Sequence, residues 1–184
     1  MRKQVLFLAL FVLGSAVAQP ARMRVERSTV SFISEAPLEI IEAATVKAAG
    51  LLDAAARTFA VQIPIATLEG FNSPLQREHF NENYLVSRTW PNATFQGRII
   101  ETVDLTKLGS YDVRAKGMLS IRGEAKERII PCRVVVHPLG VEVTSSFEVV
   151  LEDHGIRIPR VVQQKIAATV RLEVDLHFVT GPAR

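Results

Sequence analysis

Residues Phe71 to Phe95 read FNSPLQREHFNENYLVSRTWPNATF, and this stretch decides the fold because here a capped helix breaks into a chain that alternates with period two along most of its length. Ser73, Pro74 and Gln76 carry the capping-box spacing. The serine hydroxyl accepts from an otherwise unpaired helix amide, the glutamine reaches back, and proline occupies the first turn, where its missing N–H costs nothing. The spacing predicts a helix from Pro74 to about Tyr84. Leu75 with His79 and Phe80 with Tyr84 form i,i+4 pairs on one face, and Arg77, Glu78, Asn81 and Glu82 supply the polar remainder. Trp90-Pro91 ends the run, since a residue before proline is driven towards extended backbone. Alternation resumes at Ala93 and Phe95.

Working outward, the flanks read as strands with one buried face. Upstream, Val30 and Phe32 open the series. After a turn at Glu35-Ala36-Pro37, the apolar face of the next strand is expected to be Leu38, Ile40, Ala44 and Val46. Phe59, Val61, Ile63 and Ile65 follow, with Pro64 marking an edge, bulge or bend. Downstream, the inward sets are Ala93, Phe95, Gly97, Ile99 and Val103, then Tyr111 to Ile121, then Val141, Val143, Phe147, Val149 and Leu151, and finally Val170 to Phe178. The run from Arg128 to Pro138 is apolar on both parities near its start, so its facing stays open. The expected fold is mostly β: an antiparallel barrel of about eight strands with one short inserted helix. Closure removes the edges that so many strands would otherwise expose, and eight strands either fill with side chains or hold one small ligand. The helix and the irregular segment from Asp153 to Ile166, with a helical turn carrying Val162 and Ile166, are candidates for the mouth.

The N-terminus reads as a leader. Residues 1 to 18 have Arg2 and Lys3, an apolar run from Val5 to Leu13, and Ala16-Val17-Ala18, the pattern of a secretory signal peptide cleaved after Ala18. Residues 19 to 184 are then one domain, exported, without stable membrane insertion. The chain's excess of 22 basic over 19 acidic residues shrinks once Arg2 and Lys3 are removed. No basic block remains to neutralise a run of phosphates, which argues against nucleic acid as a partner. Cys132 has no partner for a disulfide, and its alternation with Ile130, Val134 and Val136 reads as an inert buried thiol.

Chemistry-bearing motifs are absent: there is no G-x-S-x-G, H-E-x-x-H, C-x-x-C or glycine-rich phosphate loop. No catalytic or metal-binding residue and no cofactor is assigned. His79 neighbours Glu82 on the helix, where a structural or headgroup contact is the plainer role, and Asp153-His154 reads as a turn. His177 shares the charged face of its strand and is expected to be solvated, His137 sits at a turn, and Asn92-Ala93-Thr94 reads as a strand start rather than a glycosylation site. Small residues at inward positions, Ala44, Ala115, Gly117 and Ser145, would leave room beside Phe32, Phe59, Phe95 and Phe147.

The ordered series Ser-Thr-Val-Ser-Phe (28 to 32), Ala-Pro-Leu-Glu (36 to 39), Arg-Glu-His (77 to 79), Trp-Pro-Asn-Ala-Thr-Phe (90 to 95), Lys-Gly-Met-Leu-Ser-Ile-Arg-Gly (116 to 123) and Asp-His-Gly-Ile (153 to 156) resembles the YceI-like family of exported proteins. The resemblance implies a lipocalin-like barrel in the bacterial periplasm that encloses a polyisoprenoid or similar amphiphile. Two positions depart from the pattern: Ser34-Glu35-Ala36, where a histidine is expected, and Ile121-Arg122-Gly123 in place of Ile-His-Gly. The resulting expectation is a non-catalytic carrier of an isoprenoid-tailed lipid or quinone-like molecule, with a homodimer left open. Its candidate ligand-binding residues are Phe32, Phe59, Phe71, Leu75, Arg77, His79, Phe80, Tyr84, Phe95 and Phe147. The rivals are a filled-barrel interaction or stress-response protein and, behind it, a lipid enzyme using His79 or His154.

Overall fold

In a computed structural model of the chain, residues 22 to 180 are described, and the leader expected at residues 1 to 18 lies outside them. The alternating runs become nine strands: β1 (Arg22–Ala36), β2 (Glu39–Thr45), β3 (Ala49–Asp53), β4 (Thr58–Pro64), β5 (Asn92–Ile99), β6 (Gly109–Ile121), β7 (Glu124–His137), β8 (Gly140–Val150) and β9 (Thr169–Thr180). Every pairing is antiparallel, and β1 closes the barrel on β9. Val30 to Ala36 of β1 pair with β2, whereas Arg22 to Arg24 pair with β3. The nine segments therefore fill eight positions in the wall.

Sharing one position leaves β2 with a free edge, because only β3 goes on to pair with β4. The segment after β4 covers that edge. Pro64 ends the strand and a 3-10 turn follows at Ile65–Thr67. Ala44 N donates to Glu69 O at 2.7 Å and Glu69 N returns a bond to Ala44 O at 2.9 Å. The hydroxyls of Thr45 and Thr67 lie 2.7 Å apart, and Asn72 Nδ2 donates to Ile40 O at 2.9 Å. Groups that would otherwise face an empty edge are paired by the insertion.

Three strand readings are corrected. In β2 the buried residues are Ile41, Ala43 and Thr45, while Leu38, Ile40 and Val46 are exposed. Leu-Glu-Ile-Ile-Glu is apolar on both parities, and pairing with β1 decides: Ala43 stands opposite inward-facing Phe32, and a one-residue slip reverses every side chain. β1 begins at Arg22 rather than near Val30, hidden by its charges and by a bulge between Val25 and Arg27 that shifts its parity. β5 ends at Ile99, so Val103 packs on the core from a loop.

The interior differs at its two ends. Met23, Leu52, Leu105, Val134, Val141 and Phe178 belong to a packed cluster at the end formed by the start of β1, β6 and β8 and the finish of β7 and β9. The opposite end carries a second apolar set, among them Ile65, Leu85, Ala93, Leu119, Ile121, Val149, Ile156 and Val170.

The small inward residues do not make space as expected. Gly117 pairs with Gly97, and a Cβ on Gly117 would lie 2.2 Å from Gln96 O. Its glycine permits close approach of two backbones. Ala44 belongs to the unburied parity of β2, and Ala115 is buried opposite Ile130. Ser145 donates to Pro131 O at 2.7 Å, on the side of β7 where proline has no N–H to offer and where the β7–β8 ladder stops beyond Arg133 and Thr144. We expect Gly117→Ala to lower stability by about 1–3 kcal/mol through overpacking, read as a lower urea midpoint.

Candidate functional site

The helix begins as its sequence dictates. Ser73 Oγ accepts from Gln76 N at 3.1 Å, and Pro74 occupies the first turn. Gln76 reaches back one residue further than a capping box requires: its Oε1 accepts from Asn72 N at 3.0 Å, while its Nε2 donates to Glu39 Oε1 at 2.9 Å. The cap thus also ties the helix to β2. The α-helix, α1, covers Pro74–His79, and a π-helical turn, Phe80–Tyr84, continues it through a bond from Leu85 N to Phe80 O at 2.9 Å. Such widened turns recur at functional sites. Here the turn presents Phe80, Tyr84 and Leu85 to one cavity.

That cavity, of about 330 Å³, lies between α1 and the open end of the barrel. Its wall includes Phe32, Ile41, Ile63, Ala93, Ile121, Val149 and Leu172. The insertion contributes Ile65, Phe71 and Leu75, and the far side is made by Leu151, Ile156, Ile158, Val162 and Ile166. Phe32, Phe71 and Phe80 form an aromatic cluster with centroids 4.9 to 5.9 Å apart, the Phe32–Phe80 pair stacked at 10°. The polar lining residues include Ser34, Glu39, Ser73, Gln76, His79 and Lys165. Several are already engaged: Ser34 Oγ accepts from Ala167 N at 2.9 Å, and Glu39 accepts from Asn72 and Gln76. Burial pushes the Tyr84 phenol above its ordinary value, so this group enters the lining as a neutral hydroxyl. An apolar chamber with few polar groups near its mouth suits a hydrocarbon with a small polar end.

Of the ten candidate residues, the cavity brings together Phe32, Phe71, Leu75, His79, Phe80 and Tyr84. Phe59 packs with the closed-end core and meets Phe95 at 5.0 Å, while Phe95 and Phe147 pack against the open-end set without lining the cavity. Arg77 donates to Ala66 O at 2.9 Å and lies 3.7 Å from Glu69, beside a shallow outer depression. Residues not singled out from sequence include Ile41, Ala93, Ile121 and Ile156. The spacing of Ile158, Val162 and Ile166 was a usable signal for the far wall, and Ile166 N donates to Val162 O at 3.0 Å.

Two further histidines depart from their expected surroundings. His154, expected in an ordinary turn, is 0% exposed; its Nδ1 lies 3.0 Å from Glu124 O. A carbonyl only accepts, so Nδ1 carries the proton and the buried Nε2 has no partner. Three distant stretches meet here. The Trp90 ring lies 2.8 Å from where a Cβ of Gly123 would stand, Arg122 Nη1 donates to Gly155 O, and His154 holds Glu124. Arg122 and Gly123 adopt positive φ of 51° and 79°, as a two-residue hairpin requires. His177, expected to be solvated, has a side chain only 15% exposed, with Nδ1 3.8 Å from Glu26 Oε2. The bulge in β1 places Glu26 beside this outward face. Among the described residues, no group of three His, Cys, Asp or Glu is placed to hold a metal ion.

Comparison with known proteins gives one family and several structures of similar fold. The sequence model of the YceI-like domain matches residues 22–178. No curated protein matches the chain. A domain from Saccharophagus degradans, described as polyisoprenoid binding and implicated in plant cell wall breakdown, superposes with a TM-score of 0.75 at 12% identity, over 89% of this chain and 100% of its own. Burkholderia cenocepacia BcnA gives 0.67 at 19% identity, over 82% and 95%. A Campylobacter jejuni YCEI protein gives 0.53 at 10%, over 96% and 97%. At these identities the likeness is one of fold.

Removing the cap tests how the site is roofed. Ser73→Ala should cost the helix about 1 kcal/mol, equivalent to roughly fivefold faster amide exchange across residues 74 to 84, with exchange in β6 and β7 unchanged.

Proposed function

Because the chain belongs to the YceI-like family, we propose that it is an exported, non-catalytic carrier of an isoprenoid-tailed lipid, a polyprenyl or quinone-like molecule, held in the open end of its barrel. The observation that carries this reading is the apolar cavity of about 330 Å³ under α1. The leader pattern at residues 1 to 18 supports export to the periplasm, and the description of the Saccharophagus degradans domain supports the ligand class.

Magnitudes favour the tail over the head. Burying one five-carbon isoprene unit gains roughly 4 kcal/mol at about 0.8 per methylene. Association costs about 4–15 kcal/mol, so about one to four units offset it without strong polar contacts. The volume lies at the lower end of the ~300–1,000 Å³ range of small-molecule sites, so a short stretch of tail fits inside and the rest leaves between α1 and residues 158 to 166. His79 and Lys165 are the lining groups suited to meet a polar end there.

The non-catalytic reading rests on the surroundings of the two candidate histidines. His154 is enclosed and held by Glu124 O, and His79 is exposed at the mouth with Gln76, Leu75 and Phe80 as its neighbours in the lining. The filled-barrel alternative describes the closed end, where Leu105 and Phe178 are buried, but not the open one.

Mass spectrometry of solvent extracts from gently purified protein should find a prenyl or quinone-like molecule, and farnesol should displace a fluorescent apolar probe. Ala93→Phe, which fills the cavity wall, should weaken that binding at least tenfold, whereas Phe59→Leu should change it less than twofold. Repeated empty extracts together with no binding of added prenyl alcohols or quinones would refute the carrier reading.

A further inference from the structure

The far wall of the cavity has a second face. Residues 156 to 168, IRIPRVVQQKIAA, contain three cations and no acidic residue. Ile156, Ile158, Val162 and Ile166 line the cavity. Arg157, Arg160 and Lys165 are exposed, and Val161 is 91% exposed. Among the described residues none of these cations forms an ion pair.

The same end carries further uncovered aliphatic surface. Leu38 N donates to Gln164 O at 2.8 Å, which holds exposed Leu38 beside this segment. Leu75 lines the mouth from α1 while remaining 57% exposed. Of the nearby acids, Glu35 lies 3.3 Å from Arg171 and Asp153 3.9 Å from Arg128, while Glu39, held by the neutral amides of Asn72 and Gln76, and Glu152 keep their charge, so the three unpaired cations of the segment outnumber these two acids. Free positive charge next to exposed aliphatics is the pairing that an anionic lipid surface complements.

We propose that residues 156 to 166, with Leu38 and Leu75, form a docking surface for anionic phospholipid bilayers that seats the cavity mouth against the membrane. The inference rests on the carrier reading and deepens it. A prenyl tail crossing water to reach the cavity exposes its methylenes, each slowing transfer roughly fourfold. Docking the mouth on lipid removes that exposure. Each basic side chain near such a surface adds roughly fivefold in partitioning, so a patch of three gives reversible attachment that weakens with salt.

The test uses residues 19 to 184, which contain the whole described barrel, and flotation with vesicles of phosphatidylglycerol and phosphatidylcholine or of phosphatidylcholine alone. The protein should float with the anionic vesicles, lose at least tenfold in binding at high salt, and fail to float with the neutral ones. Val161→Asp and the double variant Arg157→Glu/Arg160→Glu should each lose at least tenfold in flotation while displacing the apolar probe like the wild type. Flotation that ignores lipid charge, or that survives both variants, would overturn the proposal. Should a variant fail to fold, the dependence of the unaltered protein on lipid charge and salt decides. Flotation with the expected dependences but no probe binding would leave the docking surface standing and refute the carrier reading instead.

Discussion

A barrel is free of edges only when every strand has a neighbour on both sides, and β2 has one. The chain places its neighbour elsewhere by breaking between Thr45 and Ala49, so that β3 continues the wall towards β4 and β2 does not. The backbone groups left facing outward by β2 call for partners, and the segment from Ile65 to Gln76 supplies them: Glu69 pairs both backbone groups of Ala44 and Asn72 donates to Ile40 O, while Thr67 and Gln76 add side-chain bonds to Thr45 and Glu39. Because that segment is held on the edge rather than folded into the interior, α1 stands over the open end. The cavity is a consequence of how the edge is covered.

The two ends of the barrel then divide the work. Leu105, Val134 and Phe178 fill one end and supply burial for folding, at about 25 cal/mol for each Å² of apolar surface. The other end gives up some packing to keep an apolar space, and polar contacts tie the loops around its rim. Arg122 to Gly155, His154 to Glu124 and Leu38 to Gln164 tie the loops to each other. A fully buried histidine with one free nitrogen is costly, and its bond to the β7 backbone is the return for that cost in fixing the loop from Leu151 to Gly155.

What the sequence makes legible follows from range. The start of α1 is local, and Ser73, Pro74 and Gln76 suffice to place it. The strands of β4, β6, β8 and β9 alternate cleanly, so their facing is readable. Facing is not height, however. Alternation states that Phe32, Phe59, Phe95 and Phe147 point inward, but not that Phe32 stands at the hollow end and Phe59 in the packed one; that depends on register around the whole barrel. The facing of β2 goes the other way from its local pattern for the same reason: Ile40 and Ile41 are equally apolar, and only the pairing with β1 buries Ile41. Small inward residues do not mark the apolar cavity: Gly117 serves close backbone approach to Gly97, and Ser145 bridges to Pro131.

The claim on which the account turns is that an apolar chain lies at one end of the barrel and not the other. Intermolecular NOEs between farnesol and methyl-labelled protein address it most directly. The account predicts contacts to Ile41, Ile121, Val149 and Ile156 and none to Leu105, Val134 or Val141. Contacts confined to the closed-end methyls, or saturating farnesol without any contact to the open-end set, would contradict it.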